Sequence, residues 1–167
     1  FAVTTLDLGI GNGRDMDVAD FDHDGHMDYI RAVYSSGQIT LYLGDGTGNF
    51  TSAGVVADSG VDPYGVTAAD FNNDGHADII ANAGSNGDTF FFAGFGDGSF
   101  AAGVKLVSPD FGTYGALDAY DFNRDGNQDL VGTKYSAATT YFVPGNGDGT
   151  FGTAVVIATG FTSQTWG

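Results

Sequence analysis

The chain has 167 residues, the size of a single domain, and its 42% apolar content against 16% charged residues suffices to bury a core. Its 21 acidic residues are all Asp, and against 5 Lys and Arg they give a net charge of −16. That balance disfavours nucleic acid and anionic lipid as partners, both of which are bound through Lys and Arg, and favours cations.

Glu is a good helix former whereas Asp prefers caps, turns and metal loops, so a chain with 28 Gly and no Glu points away from helices. Taken in chain order, residues 1–8 read as an outer strand. The acidic run Asp20-Phe21-Asp22-His23-Asp24-Gly25-His26-Met27-Asp28 follows, and a glycine-rich turn ends in Phe50. The same acidic run returns at 70–78 and 121–129, in steps of 50 and 51 residues, and the turn returns before Phe100 and Phe151. In the middle copy, residues 65–69 enter the acidic loop and 77–82 leave it. Residues 88–93 follow, and 100–107 close the unit. These runs are rich in Val, Ile, Phe and Thr and are punctuated by Gly, Asn and Asp.

Four short strands per repeat of about 50 residues are the pattern of a propeller blade. The fold expected is therefore all-β, a β-propeller type with four-stranded blades in about three repeats. The whole of 1–167 reads as one repeat module, with repeats near 1–49, 50–99 and 100–150 and a further blade starting in 151–167. Propellers typically close with about 4 to 8 blades. Three repeats thus fit part of a propeller, several chains assembled together, or an open stacked array. The first residue is Phe, with no signal peptide before it, as in a processed chain, an excised fragment or a part of something longer. No apolar run approaches the roughly 20 residues of a membrane-spanning helix. The absence of Cys excludes disulfides, thiolate nucleophiles and cysteine zinc sites.

Positions 1, 3, 5 and 9 of each acidic loop carry Asp or Asn, with Gly at position 6. Ca²⁺ takes six to eight oxygens, and alternating acidic positions on a loop sharply turned at Gly aim several of them at one point. Position 12 is Arg31, Ala81 or Gly132, so the bidentate Glu of an EF-hand is missing. Asp at position 9 is its natural replacement. Asp-Gly and Asn-Gly also mark ordinary hairpin turns, and that reading suits Asp45, Asp97 and Asp148 in their Gly-Asp-Gly turns.

The run Asp-Phe-Asn-x-Asp-Gly-x-x-Asp, followed by Gly-Asn-Gly-Asp-Gly-Thr-Phe at 145–151, resembles the FG-GAP/VCBS repeats of bacterial surface proteins. These are related to the calcium-binding blades of integrin α-subunit propellers. The resemblance covers all three repeats and implies three Ca²⁺ sites. The implied ligands are Asp20, Asp22, Asp24, the His26 carbonyl and Asp28; Asp70, Asn72, Asp74, the His76 carbonyl and Asp78; and Asp121, Asn123, Asp125, the Asn127 carbonyl and Asp129. It also implies a secreted or cell-surface protein engaged in adhesion, lectin-like recognition, or service as a module of a larger secreted enzyme.

All three His residues lie inside the acidic loops without a Ser nucleophile, and ungrouped carboxylates such as Asp15, Asp17, Asp58, Asp62, Asp110 and Asp118 read as solvated loop residues. Neither set makes a catalytic site, and no enzyme is expected. Binding has more support. An aromatic precedes Gly at Tyr64, Tyr114 and Trp166, on the segments entering the inner strands, with Arg14 in the first copy. These four form a candidate face for a glycan or protein ligand, opposite the acidic loops. Packing between blades is the alternative for them, and a purely structural module stabilised by calcium is the alternative for the whole. Other partners expected are further blades, from the same or neighbouring chains.

Overall fold

A computed structural model describes residues 12–58, 62–83, 87–106, 116–134 and 137–160. These form three antiparallel sheets of four strands, each a simple up-and-down meander. The first sheet comprises β1 (Gly13–Ala19), β2 (Asp28–Val33), β3 (Gln38–Gly44) and β4 (Phe50–Asp58). The second comprises β5 (Pro63–Ala69), β6 (Asp78–Ala83), β7 (Thr89–Phe92) and β8 (Val104–Leu106). The third comprises β9 (Leu117–Tyr120), β10 (Asp129–Lys134), β11 (Thr139–Val143) and β12 (Val155–Thr159). A periodic sequence can be cut anywhere in its period. Hydrogen bonding cuts this one after β4, β8 and β12.

Each sheet is one blade of a β-propeller type fold. Among the described residues the helical content is limited to 3-10 turns, at Tyr34–Ser36 and at Ala137, and no helix is long and apolar enough to cross a membrane. The closing strand of the middle blade starts at Val104, later than the sequence suggests. Phe100 makes only an isolated bridge to Gly94, and the Ala101 N–H bonds the Ala93 carbonyl at 2.8 Å, so the chain turns before it can pair as a strand.

The cores lie between blades. Phe21, Ile30, Ile39 and Leu41 of the first blade pack against Val66, Ile79, Ala81 and Phe92 of the second. Phe71 and Ile80 of the second pack against Leu117, Leu130 and Val143 of the third. Strand β6 serves both. Its side chains alternate, so Ile79 and Ala81 enter the first core while Ile80 enters the second. That is why its apolar run is continuous: a strand covered on both faces has no polar side. The outer strand β12 instead leaves Val155, Val156 and Ile157 exposed.

Candidate functional site

Each acidic loop joins an inner strand to the second strand of its blade, which places all three loops on one side of the fold. The local chain reversal needs two left-handed residues. Position 4 (His23, Asn73, Arg124) has φ of 59°, 58° and 64°, and the Gly at position 6 has 88°, 89° and 93°. Only Gly tolerates the second without strain. The backbone curls around its own carboxylates. Position 1 accepts the position 6 N–H through Oδ2 in every loop, at 3.0 Å for Asp20, 2.9 Å for Asp70 and 3.1 Å for Asp121. Position 5 accepts the position 7 N–H at 2.8 to 2.9 Å in all three.

The Asp at position 9 is fully buried in each copy. Its Oδ2 accepts the N–H of the loop Phe: Asp28 from Phe21 at 2.8 Å, Asp78 from Phe71 and Asp129 from Phe122 at 2.9 Å. Its Oδ1 accepts the N–H of Gly44, Gly94 or Gly145 at 2.8 to 3.0 Å. Burial pushes the Asp78 carboxyl up to about 6, against the lowering effect of its two N–H donors, and Asp74 and Asp70 add to the rise. Exposed Asp125 is held below the usual carboxylate range, first by the Asn127 N–H and then by the Asn123 amide.

The loops differ at position 3. In the second and third, the Asn72 and Asn123 amides donate to Asp74 and Asp125 at 2.9 and 2.8 Å. Position 1 Oδ1 there accepts the position 5 N–H at 3.1 Å. In the first loop Asp22 has no amide to give, and Asp20 Oδ1 is buried without any hydrogen-bond donor. One oxygen from each of Asp20, Asp22 and Asp28 lies within 4.8 Å of the others. A buried carboxylate oxygen facing two more carboxylates is costly alone and fits a hard cation. Among the described residues, the carboxylates that the sequence names in the first loop are the ones that meet as a group of three.

The Gly-Asp-Gly turns carry their own bonds. Asp45 accepts from Thr47 and Asn49, Asp97 from Ser99, and Asp148 from Thr150, and these bonds hold all three carboxyls low. Two His meet across loops, a pairing that the sequence did not signal: His23 Nε2 lies 3.0 Å from His76 Nδ1.

On the opposite side, the Arg14 guanidinium lies 4.7 Å from the Tyr34 ring centre and 4.9 Å from that of Tyr64, and the two rings meet edge to face at 5.1 Å. Arg14 and Tyr64 sit at equivalent β-bulges: the β1–β2 register shifts between Gly13 and Asp15, and the β5–β6 register between Pro63 and Gly65. A bulge re-aims the side chain it carries. Arg14 is exposed and both Tyr are half-buried. Tyr34 joins this cluster from the β2–β3 connection. Tyr114 and Trp166 lie outside the described residues.

Several carboxylates read as solvated loop residues are on strands instead. Asp15 and Asp17 of β1 accept the β5 N–H groups of Val66 at 3.1 Å and Ala68 at 2.8 Å, stitching the first two inner strands together. Burial raises the Asp15 carboxyl, with smaller contributions from Asp17 and Asp118. Asp118 lies on β9 and Asp58 on β4; Asp110 is outside the described residues.

Blades packed face to face, each opening with the same acidic loop, define a repeat module of the β-propeller type. Residues 20–81 match the model of the FG-GAP-like repeat. Comparison with curated proteins gave no match. A solved Agrocybe aegerita lectin, described as specifically recognising non-reducing terminal N-acetylglucosamine, superposes with a TM-score of 0.62 at 23% identity. The alignment covers 84% of this chain and 37% of the lectin, so the chain spans little more than a third of it. At that identity the likeness establishes the fold.

Proposed function

We propose that the three acidic loops hold Ca²⁺ and that the chain is a secreted or cell-surface recognition module, binding a glycan or protein ligand by the face opposite those loops. The observation carrying the metal reading is Asp20 Oδ1, buried without a donor and grouped with Asp22 and Asp28. The ligands proposed are the side chains at positions 1, 3, 5 and 9 and the carbonyl at position 7. A cation there would neutralise crowded carboxylates and, in the second and third loops, replace the Asn-to-Asp bonds. Titration of calcium into chelator-treated protein should reveal three sites. Absence of binding at millimolar calcium would overturn the reading.

Binding, without catalysis, is the activity proposed for the opposite face. Bulges at both Arg14 and Tyr64 support it, since they turn a cation and an aromatic ring out of the regular strand pattern. The N-acetylglucosamine recognition described for the lectin makes that sugar the first ligand to test. The competing reading is a structural module, favoured by the way Arg14, Tyr34 and Tyr64 satisfy one another. A glycan array separates the two readings.

A further inference from the structure

One seam is built twice inside this chain. Where the first blade meets the second, the Phe21 carbonyl accepts the Gly98 N–H at 2.9 Å and the Phe21 ring meets Phe100 edge to face at 5.7 Å. Where the second meets the third, the Phe71 carbonyl accepts the Gly149 N–H at 3.0 Å and its ring meets Phe151 at 5.8 Å. Leu41 and Phe91, at equivalent places on their blades, lie beneath those two turn glycines. Loop also touches loop, through His23 with His76 and Asn73 with Asn127. The acidic loop of one blade thus receives the glycine turn of the next.

Both halves of this seam recur, open, at opposite ends of the described fold. The third blade presents the receiving half. Phe122 stands where Phe21 and Phe71 are 2% and 1% exposed, yet it is 48% exposed, and Phe142 occupies the place of Leu41 and Phe91. The first blade presents the inserting half: Gly48 corresponds to Gly98 and Gly149, and Phe50, 38% exposed, corresponds to Phe100 and Phe151. Its Met16 is 58% exposed, whereas the equivalent Val66 and Leu117 are buried in the two cores. Beside Met16, Tyr29 and Arg31 line a hollow of about 370 Å³ on the same open face.

We infer that two copies of this chain join head to tail, the first blade of each docking on the third blade of the other through the seam that already links its internal blades. Such a joint is heterologous, so it either closes into a ring or grows into a filament. Blade number decides which. The described residues of one copy make three blades, and propellers typically close with about 4 to 8, so two copies of this 167-residue chain close a ring of six. Aromatic and aliphatic side chains left open on both halves supply the apolar centre that such an interface requires.

The test is the solution mass of the 167-residue chain in calcium, by light scattering after size exclusion. The wild type should have twice the 17.2 kDa of one chain. Phe122→Asp and Phe50→Asp should each run at a single mass, because each destroys both seams of its own dimer. Mixing the two variants regenerates one intact seam, between wild-type Phe122 of one and wild-type Phe50 of the other, and should restore the double mass. A misfolded variant would not be rescued. The inference falls if the wild type is a monomer or grows into larger species with concentration, if the variants keep the double mass, or if the mixture stays monomeric.

Discussion

Asp28 and Gly44 are joined by a 2.8 Å hydrogen bond from the glycine N–H to carboxylate Oδ1, across sixteen residues of chain. The approach that permits it leaves no room for a side chain, since a Cβ at position 44 would lie 2.2 Å from the Met27 carbonyl oxygen. Asp78 with Gly94 and Asp129 with Gly145 repeat the arrangement. The carboxylate closing each acidic loop therefore also anchors the start of the glycine turn, so loop and turn form one unit.

Replacing Asp28 or Asp78 with Ala should strip two buried N–H groups of their acceptor. An unsatisfied buried donor costs about 1–3 kcal/mol, so a loss of about 2–6 kcal/mol is expected for either variant. Urea unfolding should show the midpoint lowered with an unchanged slope. Gly44→Ala should be destabilising for the steric reason given above.

Calcium should stabilise the fold. At free calcium a hundredfold above a site's dissociation constant, binding contributes about 2.7 kcal/mol per site. Thermal melts in chelator and in millimolar calcium should differ by many degrees. A midpoint indifferent to calcium would remove the structural role assigned to the metal.

The sites should rank in order, first tightest and third weakest. The first loop offers four carboxylates, while the others carry Asn72 or Asn123 at position 3 and the third adds Arg124 between its ligands. Ligand charge count tunes calcium affinity. Asn72→Asp should therefore tighten the second site, as site-resolved titration would reveal; the reverse order would contradict the assignment.

Tyr64→Ala should weaken ligand binding several-fold while calcium affinity stays unchanged. It removes one of the two rings holding the Arg14 guanidinium, a contact of about 0.5–1 kcal/mol at an exposed site. A lowered melting midpoint with unaltered binding on the array would return this cluster to a structural role.

The metal-free protein should gain stability as pH falls from 7 toward 5. Asp78 titrates near 6 in the folded state, above the ordinary 3.8, so folded chains take up its proton first and the cost of its buried charge is relieved. Asp15 is raised in the same direction. Below about 4 the trend should reverse, as Asp45, Asp97, Asp125 and Asp148, all lowered, lose bonds made by their charged forms. With calcium present, protons compete with the ion, and acidification from 7 to 5 should destabilise. Melts at pH 7, 5 and 3, with and without chelator, check both signs.

The repeat, the strands and the meeting of Asp20, Asp22 and Asp28 were legible because each rests on short-range chemistry. An Asp two residues from the next, a Gly that alone can reverse the chain, and alternation along a strand act within a few residues and recur every 50. The Asp-Gly turns were legible for the same reason. Contacts between blades were not. Asp17 reaches the Ala68 N–H and His23 meets His76 at separations of 51 and 53 residues, so Asp17 reads as solvated until the second blade is in place. Likewise the aim of Arg14 and Tyr64 depends on bulges, which belong to the pairing of two strands and to neither sequence alone. The division of β6 between two cores has the same origin: alternation assigns its side chains to two faces, but only packed neighbours on both sides decide that each face is buried.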